Sequence, residues 1–451
     1  MTDQTFKVGD FIDRNALSSL QKVVVGICTC LAFLDGFDAQ AIGYVAPVLI
    51  KSWQIPPGQM GSVFSAGLIG LMLGALLLAP LADRFGRRPV ILISTLSFGL
   101  FSLATAGVST VNGLLLLRFL TGVGLGGCMP NIISLTSEYS PQRHRALLVM
   151  MMFTGFTLGS LFAGLVSTQL IAQYGWQAVF VMGGVLPILI VPVVFFLLPE
   201  SISFLVLRRS EWKKVAGLLY KIDPSAQIQE SQVFPASPET TRAAPRMSVS
   251  QLFREGKTRN TLLLWVVFFM SLLDIYLLVS WLPTAMNASG ASVQTAILVG
   301  TMLQVGGLCG PLPLGWLLDR SGPRRTMVPA YLLAAACIAC IGIFASSSIP
   351  LTMLVVFGAG FGVIGGQTAA NAVAAMSYPT AARSTGVGWA LGIGRVGSII
   401  GPVLAGVLIS KNVSIQNIFF LSAIPALCAA VAILGLVPYA NSASVKPEIS
   451  H

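Results

Sequence analysis

The chain has 451 residues, of which 55% are hydrophobic and only 10% charged, with 46 glycines. Soluble domains carry about 25% charged residues, so this composition excludes a string of soluble domains and specifies a polytopic membrane protein. The net charge of +11 calls for no nucleic-acid partner, because the basic residues are distributed as a membrane topology requires.

Residues 1–21 are polar and mixed in charge, so no cleavable signal peptide is expected. Twelve apolar runs follow, at 22–50, 58–81, 90–108, 112–134, 145–170, 177–198, 260–284, 291–317, 326–345, 350–376, 383–410 and 415–438. Each is long enough to cross a bilayer as a helix. The expected fold is therefore all-α, with two six-helix bundles at 22–198 and 260–438. The segment 199–259 separates them and 439–451 forms a tail. The central segment carries Pro235, Pro238 and Pro245 among charges of both signs, the composition of a linker. Its first part, Glu200 to Ile222, is periodic enough for a helix lying on the membrane surface. Of the 27 Lys and Arg, only Lys51 and Lys411 fall on the side away from the termini, and Arg118 and Arg395 fall inside runs. That asymmetry places both termini in the cytoplasm.

The first run contains L-A-F-L-D-G-F-D-A-Q-A-I-G-Y-V-A-P at 31–47. Asp35 and Asp38 are three residues apart, hence on one side of a helix. Carboxylates at bilayer depth are expensive, which marks the pair as a functional site. The competing reading is a glycine-broken helix that leaves them near the interface as caps.

After the second run comes L-A-D-R-F-G-R-R-P-V, and after the eighth L-L-D-R-S-G-P-R-R-T. Asp83 and Asp319 lie 236 positions apart, as do Asp38 and Asp274. Gly122, Gly124 and Gly127 recur at Gly360, Gly362 and Gly365, and Pro141 and Arg145 at Pro379 and Arg383, with an offset of 238. Such parallel repeats describe two similar bundles around a midplane cavity, the architecture of alternating-access transporters. In the first loop, Asp83 ends a helix where Arg87 or Arg88 can bridge to it. Arg84, Glu138 and Arg145 are placed to join the same network. Asp319, Arg320, Arg324 and Arg325 repeat it in the second half. These groups form a candidate gate, or else the arginines only enforce topology.

Three glycine patterns, at 122–127, 360–365 and 392–397, formally match a dinucleotide fingerprint. All lie within apolar runs without a preceding strand, so they are read as sites of close helix approach. The seven cysteines also fall in apolar runs and are read as packing residues.

Arg118 and Arg395 are the basic residues inside spans, and an arginine at that depth needs a partner. Arg118, near the start of its run, either snorkels outward or serves a site. Arg395 lies about 18 Å along its helix from Arg383, near mid-depth, among Gly392, Gly394 and Gly397. Its planar fork suits a ligand carboxylate. Asp274, Asn131, Gln367 and Asn371 are further candidate substrate contacts, although span amides more often bond neighbouring helices. Tyr276, Trp281 and Trp389 could stack on a flat ligand, and Trp281 before Pro283 could instead anchor the interface. His144 lies in a basic loop and is read as solvated.

The whole chain resembles the major facilitator superfamily, through its twelve spans, the D-R-F-G-R-R loop with its degenerate copy, and P-E-S at 199–201. D-G-F-D at 35–38 together with G-I-G-R-V-G at 392–397 is similar to the aromatic acid:proton symporter family. The resemblance implies uptake of an aromatic carboxylate such as 4-hydroxybenzoate, protocatechuate, gallate, benzoate or a phenylpropionate across a bacterial inner membrane. It implies proton coupling at Asp35 and Asp38, gating at Asp83 and Asp319 with their arginines, and functional weight on Arg118 and Arg395. The second loop, D-R-S-G-P-R-R, departs from the first, which weakens the expected second gate. The proton gradient replaces any cofactor, and one copy suffices. The alternative is a proton-driven antiporter exporting drugs or metabolites. An enzyme is not expected, since His144 and His451 are the only histidines.

Overall fold

The computed structural model describes residues 8–207, 212–223, 252–253, 258–378 and 380–436, with the backbone alone at 8–10, 79, 207 and 380–384. The proline-rich part of the expected linker, Arg208, Pro379 and the terminal tails lie outside the described residues, as does the Arg383 side chain. Among the described residues the regular structure is helical. The helices are α1 (Val8–Arg14), α2 (Ser19–Trp53), α3 (Pro57–Phe85), α4 (Arg87–Thr105), α5 (Val111–Tyr139), α6 (Gln142–Tyr174), α7 (Gln177–Leu197), α8 (Ile202–Leu207) and α9 (Trp212–Ile222). The second half adds α10 (Thr258–Ala288), α11 (Val293–Cys309), α12 (Pro311–Phe344), α13 (Ile349–Ser377), α14 (Thr380–Ser410) and α15 (Ile415–Gly435).

Among the described residues, eleven candidate spans are long and apolar enough to cross a bilayer. One of them, Val293–Phe344, has 52 residues, about 78 Å of helix and more than twice a hydrocarbon core. It turns at Gly322, where φ is 77° and ψ is 171°, and so crosses twice. The count is therefore twelve crossings, six per half. Gly86 makes the matching turn between α3 and α4 at φ 103° and ψ 155°. A side chain at positive φ is strained, so only glycine fits comfortably. The two turns lie 236 positions apart, the same offset as Asp38 and Asp274.

Packing repeats in the same register. In the first half α3 lies on α5, α2 on α6, and α4 on α5 and α7. In the second, α11 lies on α13, α10 on α14, and α12 on α13 and α15. The halves meet through α3 against α14, α6 against α11, and α2 against α10.

The apolar cores show where that meeting takes place. At the end away from the termini, one cluster joins both halves and includes Tyr44, Leu49, Phe64, Leu277, Trp281 and Leu303. At the end that carries the termini and most arginines, here called the basic end, each half has its own cluster. Hydrogen bonds follow the same division. Ser65 donates to the Ile399 carbonyl at 2.6 Å, and the Gly58 amide to Ser410 Oγ at 2.9 Å. A Cβ on Gly61 would come within 2.8 Å of the Pro402 carbonyl, so the glycine permits the approach of α14. The halves are sealed at one end and splayed at the basic end.

The expected surface helix after Glu200 is two helices, α8 and α9. Their apolar residues Ile202, Leu205, Val215, Leu219 and Ile222 pack on the basic-end core of the first half.

Candidate functional site

α2 is the longest single crossing because its start is fixed by a capping box. Ser18 accepts the Gln21 amide, and the Gln21 side chain accepts the Ser18 amide. Midway along it, Asp35 and Asp38 are each 2% exposed. The interfacial reading of the pair is thereby excluded, and the two carboxyls have different surroundings.

Asp38 points into the first half. Ser102 Oγ of α4 donates to its Oδ1 at 2.7 Å, and Arg118 of α5 donates to its Oδ2 at 3.2 Å. The other guanidinium nitrogen donates to Thr105 and Thr121 hydroxyls, each at 3.2 Å. The cation also lies over the Phe180 ring, 4.8 Å from its centroid, a further attraction in a dry site. Arg118 therefore does not snorkel outward, and as a direct substrate contact it is corrected: both terminal nitrogens are engaged inside the bundle, and its Nε is buried there without a partner.

Asp35, one turn earlier, leaves Oδ1 without a hydrogen-bond partner. It lies within electrostatic reach of Asp38 on its own helix and of Arg395 in the other half. Arg395 is half-buried and donates to the Tyr276 hydroxyl at 3.2 Å. Gly388 and Gly392, two turns and one turn before it, have open space where a Cβ would stand. The structure thus brings together a free carboxyl from the first half and a cation from the second, with room beside the cation.

The remaining candidates separate. Gln367 is buried, and neither atom of its amide has a partner; Asn371, one turn on, is exposed. Asn131 donates to the Gly127 carbonyl of its own helix at 2.8 Å, the common fate of a span amide. Asp274 is fully buried in α10, with Tyr331 of α12 and the Ala426 backbone of α15 near it. It faces into its own half, which corrects its assignment to substrate. Trp389 is likewise corrected. It shares an exposed apolar stripe of α14 with Val396, Ile400, Val403 and Val407 and stacks on Trp265 at 6.0 Å. Trp281 is neither stacker nor interfacial anchor: it is buried, donates to the Pro402 carbonyl at 2.8 Å, and packs edge-on against Phe64 across the sealed end.

At the basic end Arg87 pairs with Glu138, and no bridge to Asp83 forms among the described residues. Asp83 is exposed, because the Gly86 turn carries Arg87 towards the end of α5. Glu138 also accepts from Ser201 Oγ and the Ser203 amide. Glu200 Oε1 accepts the amides of Arg87 at 2.8 Å and Arg88 at 3.2 Å, an anion capping the start of α4. Arg88 reaches the Phe195 carbonyl, Arg84 lies against Phe85, and Arg145 bonds the Ser140 carbonyl at 3.5 Å. In the second half Asp319, Arg320, Arg324 and Arg325 are exposed. Arg320 covers Trp316 at 4.1 Å, and Arg324 bonds the Leu436 carbonyl.

The cage of Asp38 and Arg118, namely Ser102, Thr105, Thr121 and Phe180, escapes sequence reasoning. Its one trace is the i, i+3 pair of hydroxyls at 102 and 105, in a run that also carries Ser94, Thr95 and Ser97. Ser271 and Tyr331 are missed as well, although the offset of 236 from Asp35 lands on Ser271.

A family model described as Major Facilitator Superfamily matches residues 28–284 and 264–450. The chain is 40% identical over 433 residues to a gallate transporter of Pseudomonas putida, covering 96% of this chain and 95% of that one. It is 41% identical over 434 residues to the 4-hydroxybenzoate transporter PcaK of Pseudomonas aeruginosa, covering 96% of each. Among solved structures it is similar to the xylose transporter XylE from E. coli in a partially occluded inward open conformation. That match has a TM-score of 0.72 at 18% identity and covers 93% of this chain and 98% of that one.

Proposed function

Because the chain belongs to the Major Facilitator Superfamily, and is a transporter and not an enzyme, we propose that it imports an aromatic carboxylate together with protons across a bacterial inner membrane. The observation that carries this reading is the buried Asp35 carboxyl, with one oxygen unpartnered and within electrostatic reach of Arg395 of the other half, next to an Asp38 whose charge is already matched by Arg118. The names of the relatives support the aromatic acid as substrate class.

In this mechanism Asp35 takes a proton while the cavity faces outward, since removal from water favours the neutral acid. The aromatic anion then sets its carboxylate against Arg395 and Tyr276. With both charges matched, the dry halves can pass each other. The concentration of arginines at the basic end makes that end cytoplasmic, so the splayed arrangement corresponds to the inward-facing state. Anion and proton leave there, and Asp35 and Arg395, each now without its ligand, attract one another as the carrier resets. The Asp38–Arg118 pair keeps the neighbouring charge constant throughout.

The test is uptake of labelled 4-hydroxybenzoate into proteoliposomes with an inward proton gradient. Saturable accumulation that a protonophore abolishes is expected, with gallate and 3-(3-hydroxyphenyl)propionate as competitors to define the ring pattern. Asp35→Asn should lose accumulation while retaining exchange of labelled for unlabelled acid. Accumulation indifferent to the protonophore, or proton-driven efflux of the acid, would overturn the reading.

A further inference from the structure

The second half holds a buried carboxyl that the cycle above leaves unused. Both oxygens of Asp274 lack a hydrogen-bond partner, and the residue is fully buried midway along α10. The repeat shows what surrounds it. An offset of 236 aligns Asp274 with Asp38, Ser271 with Asp35 and Tyr331 with Thr95, and the offset of 238 aligns Gly366 with Cys128. In the first half, Asp35 lies near Cys128, which contacts Thr95. In the second, the Tyr331 ring and hydroxyl lie 3.1–3.4 Å from where a Cβ on Gly366 would stand, so the glycine makes room for the larger side chain. Tyr331 is thereby brought beside Ser271 and within electrostatic reach of Asp274. Ser271 Oγ and the Tyr331 hydroxyl are also buried without partners.

Among the described residues no cation answers this carboxyl. The positions that align with Arg118 are Leu354 and Val356. α11, α13 and α15 carry no charged residue. Arg395 of α14 is bonded to Tyr276, about 200° around α10 from Asp274. Asp35 and Asp38 on α2 are acids, and the Asp319, Arg320, Arg324 and Arg325 group of α12 is exposed at the basic end. A lone carboxylate in such a place is far costlier than its protonated form.

We propose that Asp274, with Ser271 and Tyr331, is a second proton-binding site and carries one proton per transport cycle in addition to that on Asp35. This rests on the import reading above. Gln367 follows Gly366 on α13, is 7% exposed with both amide atoms unpartnered, and has the exposed Asn371 one turn further on. These polar side chains follow Gly366 along α13 in the direction of its basic end. On loading, an O–H bond forms at Asp274 with a proton from the outer solution. On release that bond breaks, and the proton passes by way of the Tyr331 hydroxyl, which accepts it and gives up its own, to water held by the Gln367 amide on the side of the basic end. Two protons with one monoanion carry one net positive charge inward, so uptake responds to voltage.

The full chain in proteoliposomes decides it, with labelled 4-hydroxybenzoate as the probe. Wild type should accumulate the acid under an inside-negative potential without a pH difference. Asp274→Asn, isosteric with the neutral acid, should keep pH-driven uptake and lose the voltage response; an unchanged voltage response overturns the proposal. Infrared difference spectra of the purified protein without substrate, recorded between acid and alkaline pH, should show a protonated-carboxyl C=O band that shifts in D2O and is missing from Asp274→Asn. Identical spectra for the two proteins overturn the site. Tyr331→Phe keeps the carboxyl and should move that band, and a fixed band overturns the pairing with Tyr331. If wild type moves no aromatic acid at all, the import reading fails while the infrared comparison still decides whether Asp274 binds a proton.

Discussion

Arg118 and Asp38 are 3.2 Å apart inside the first half, and the hydroxyls of Ser102, Thr105 and Thr121 add further hydrogen bonds to the pair. Two neighbouring acids on one helix are thereby made unequal. Asp38 is neutralised by a partner from its own half, which leaves Asp35 as the member of the pair that can exchange a proton or answer a cation from the other half.

Removing one partner of a buried pair leaves an uncompensated charge, at a cost of about 3–5 kcal/mol. Arg118→Leu should therefore lower the melting temperature of the detergent-purified protein and abolish uptake. Adding Asp38→Asn to it should restore most of the lost stability, because the orphaned charge goes with it. Equal destabilisation of the single and double variants would show that Arg118 acts through packing on Phe180 instead.

On the import reading, Arg395 recognises the ligand by a planar fork that lysine lacks. Hydrogen bonds to charged groups contribute about 1.5–3 kcal/mol, equivalent to roughly 10- to 100-fold in affinity. Arg395→Lys should raise the KM for 4-hydroxybenzoate uptake by about that factor while leaving the fold intact. A KM within about twofold of wild type would remove Arg395 from the ligand site.

Much of the fold is legible in the sequence, because the bilayer dictates the length of each span and the repeat doubles every landmark. The turns at Gly86 and Gly322 are an example: the D-R-x-G pattern marks both, and the same positive φ recurs 236 residues on. The acids of α2 are legible for a related reason, since a charge in an apolar run stands out. Partners are not legible. Nothing in the spacing of Asp38 and Arg118, 80 residues apart, says that they meet, nor that Arg87 chooses Glu138 over the nearer Asp83. Trp389 misleads because a span has two apolar environments, lipid and cavity, and composition does not distinguish them.

Glu200 caps α4 at the basic end, where its carboxylate meets the amides of Arg87 and Arg88 and the positive end of the helix dipole. Glu200→Gln keeps the shape and removes the charge. A loss of about 0.5–2 kcal/mol, the range measured for helix caps, is expected in thermal unfolding of the full chain. Because Glu138 holds Arg87 independently, the effect of Glu138→Gln should add to it in part, and no loss in either variant would mean that this network does not stabilise the splayed state.

On the import reading the sealed end must open during the cycle, and a polar contact between α3 and α14 near the membrane surface there is the Gly58 amide on Ser410 Oγ at 2.9 Å. A Cβ built on Gly58 would lie 3.1 Å from that same oxygen. Cysteines at both positions would therefore bring their sulfurs within the reach of a disulfide, which needs Cβ atoms about 3.5–4.5 Å apart. In a background with the seven native cysteines replaced, Gly58→Cys with Ser410→Cys should cross-link under mild oxidation. The oxidised protein should lose uptake, and reductant should restore it. Each single variant should be insensitive to oxidant. Full uptake by the cross-linked protein would mean that α3 and α14 stay together throughout the cycle, and the opening would then have to occur elsewhere than at the seam joining the two halves.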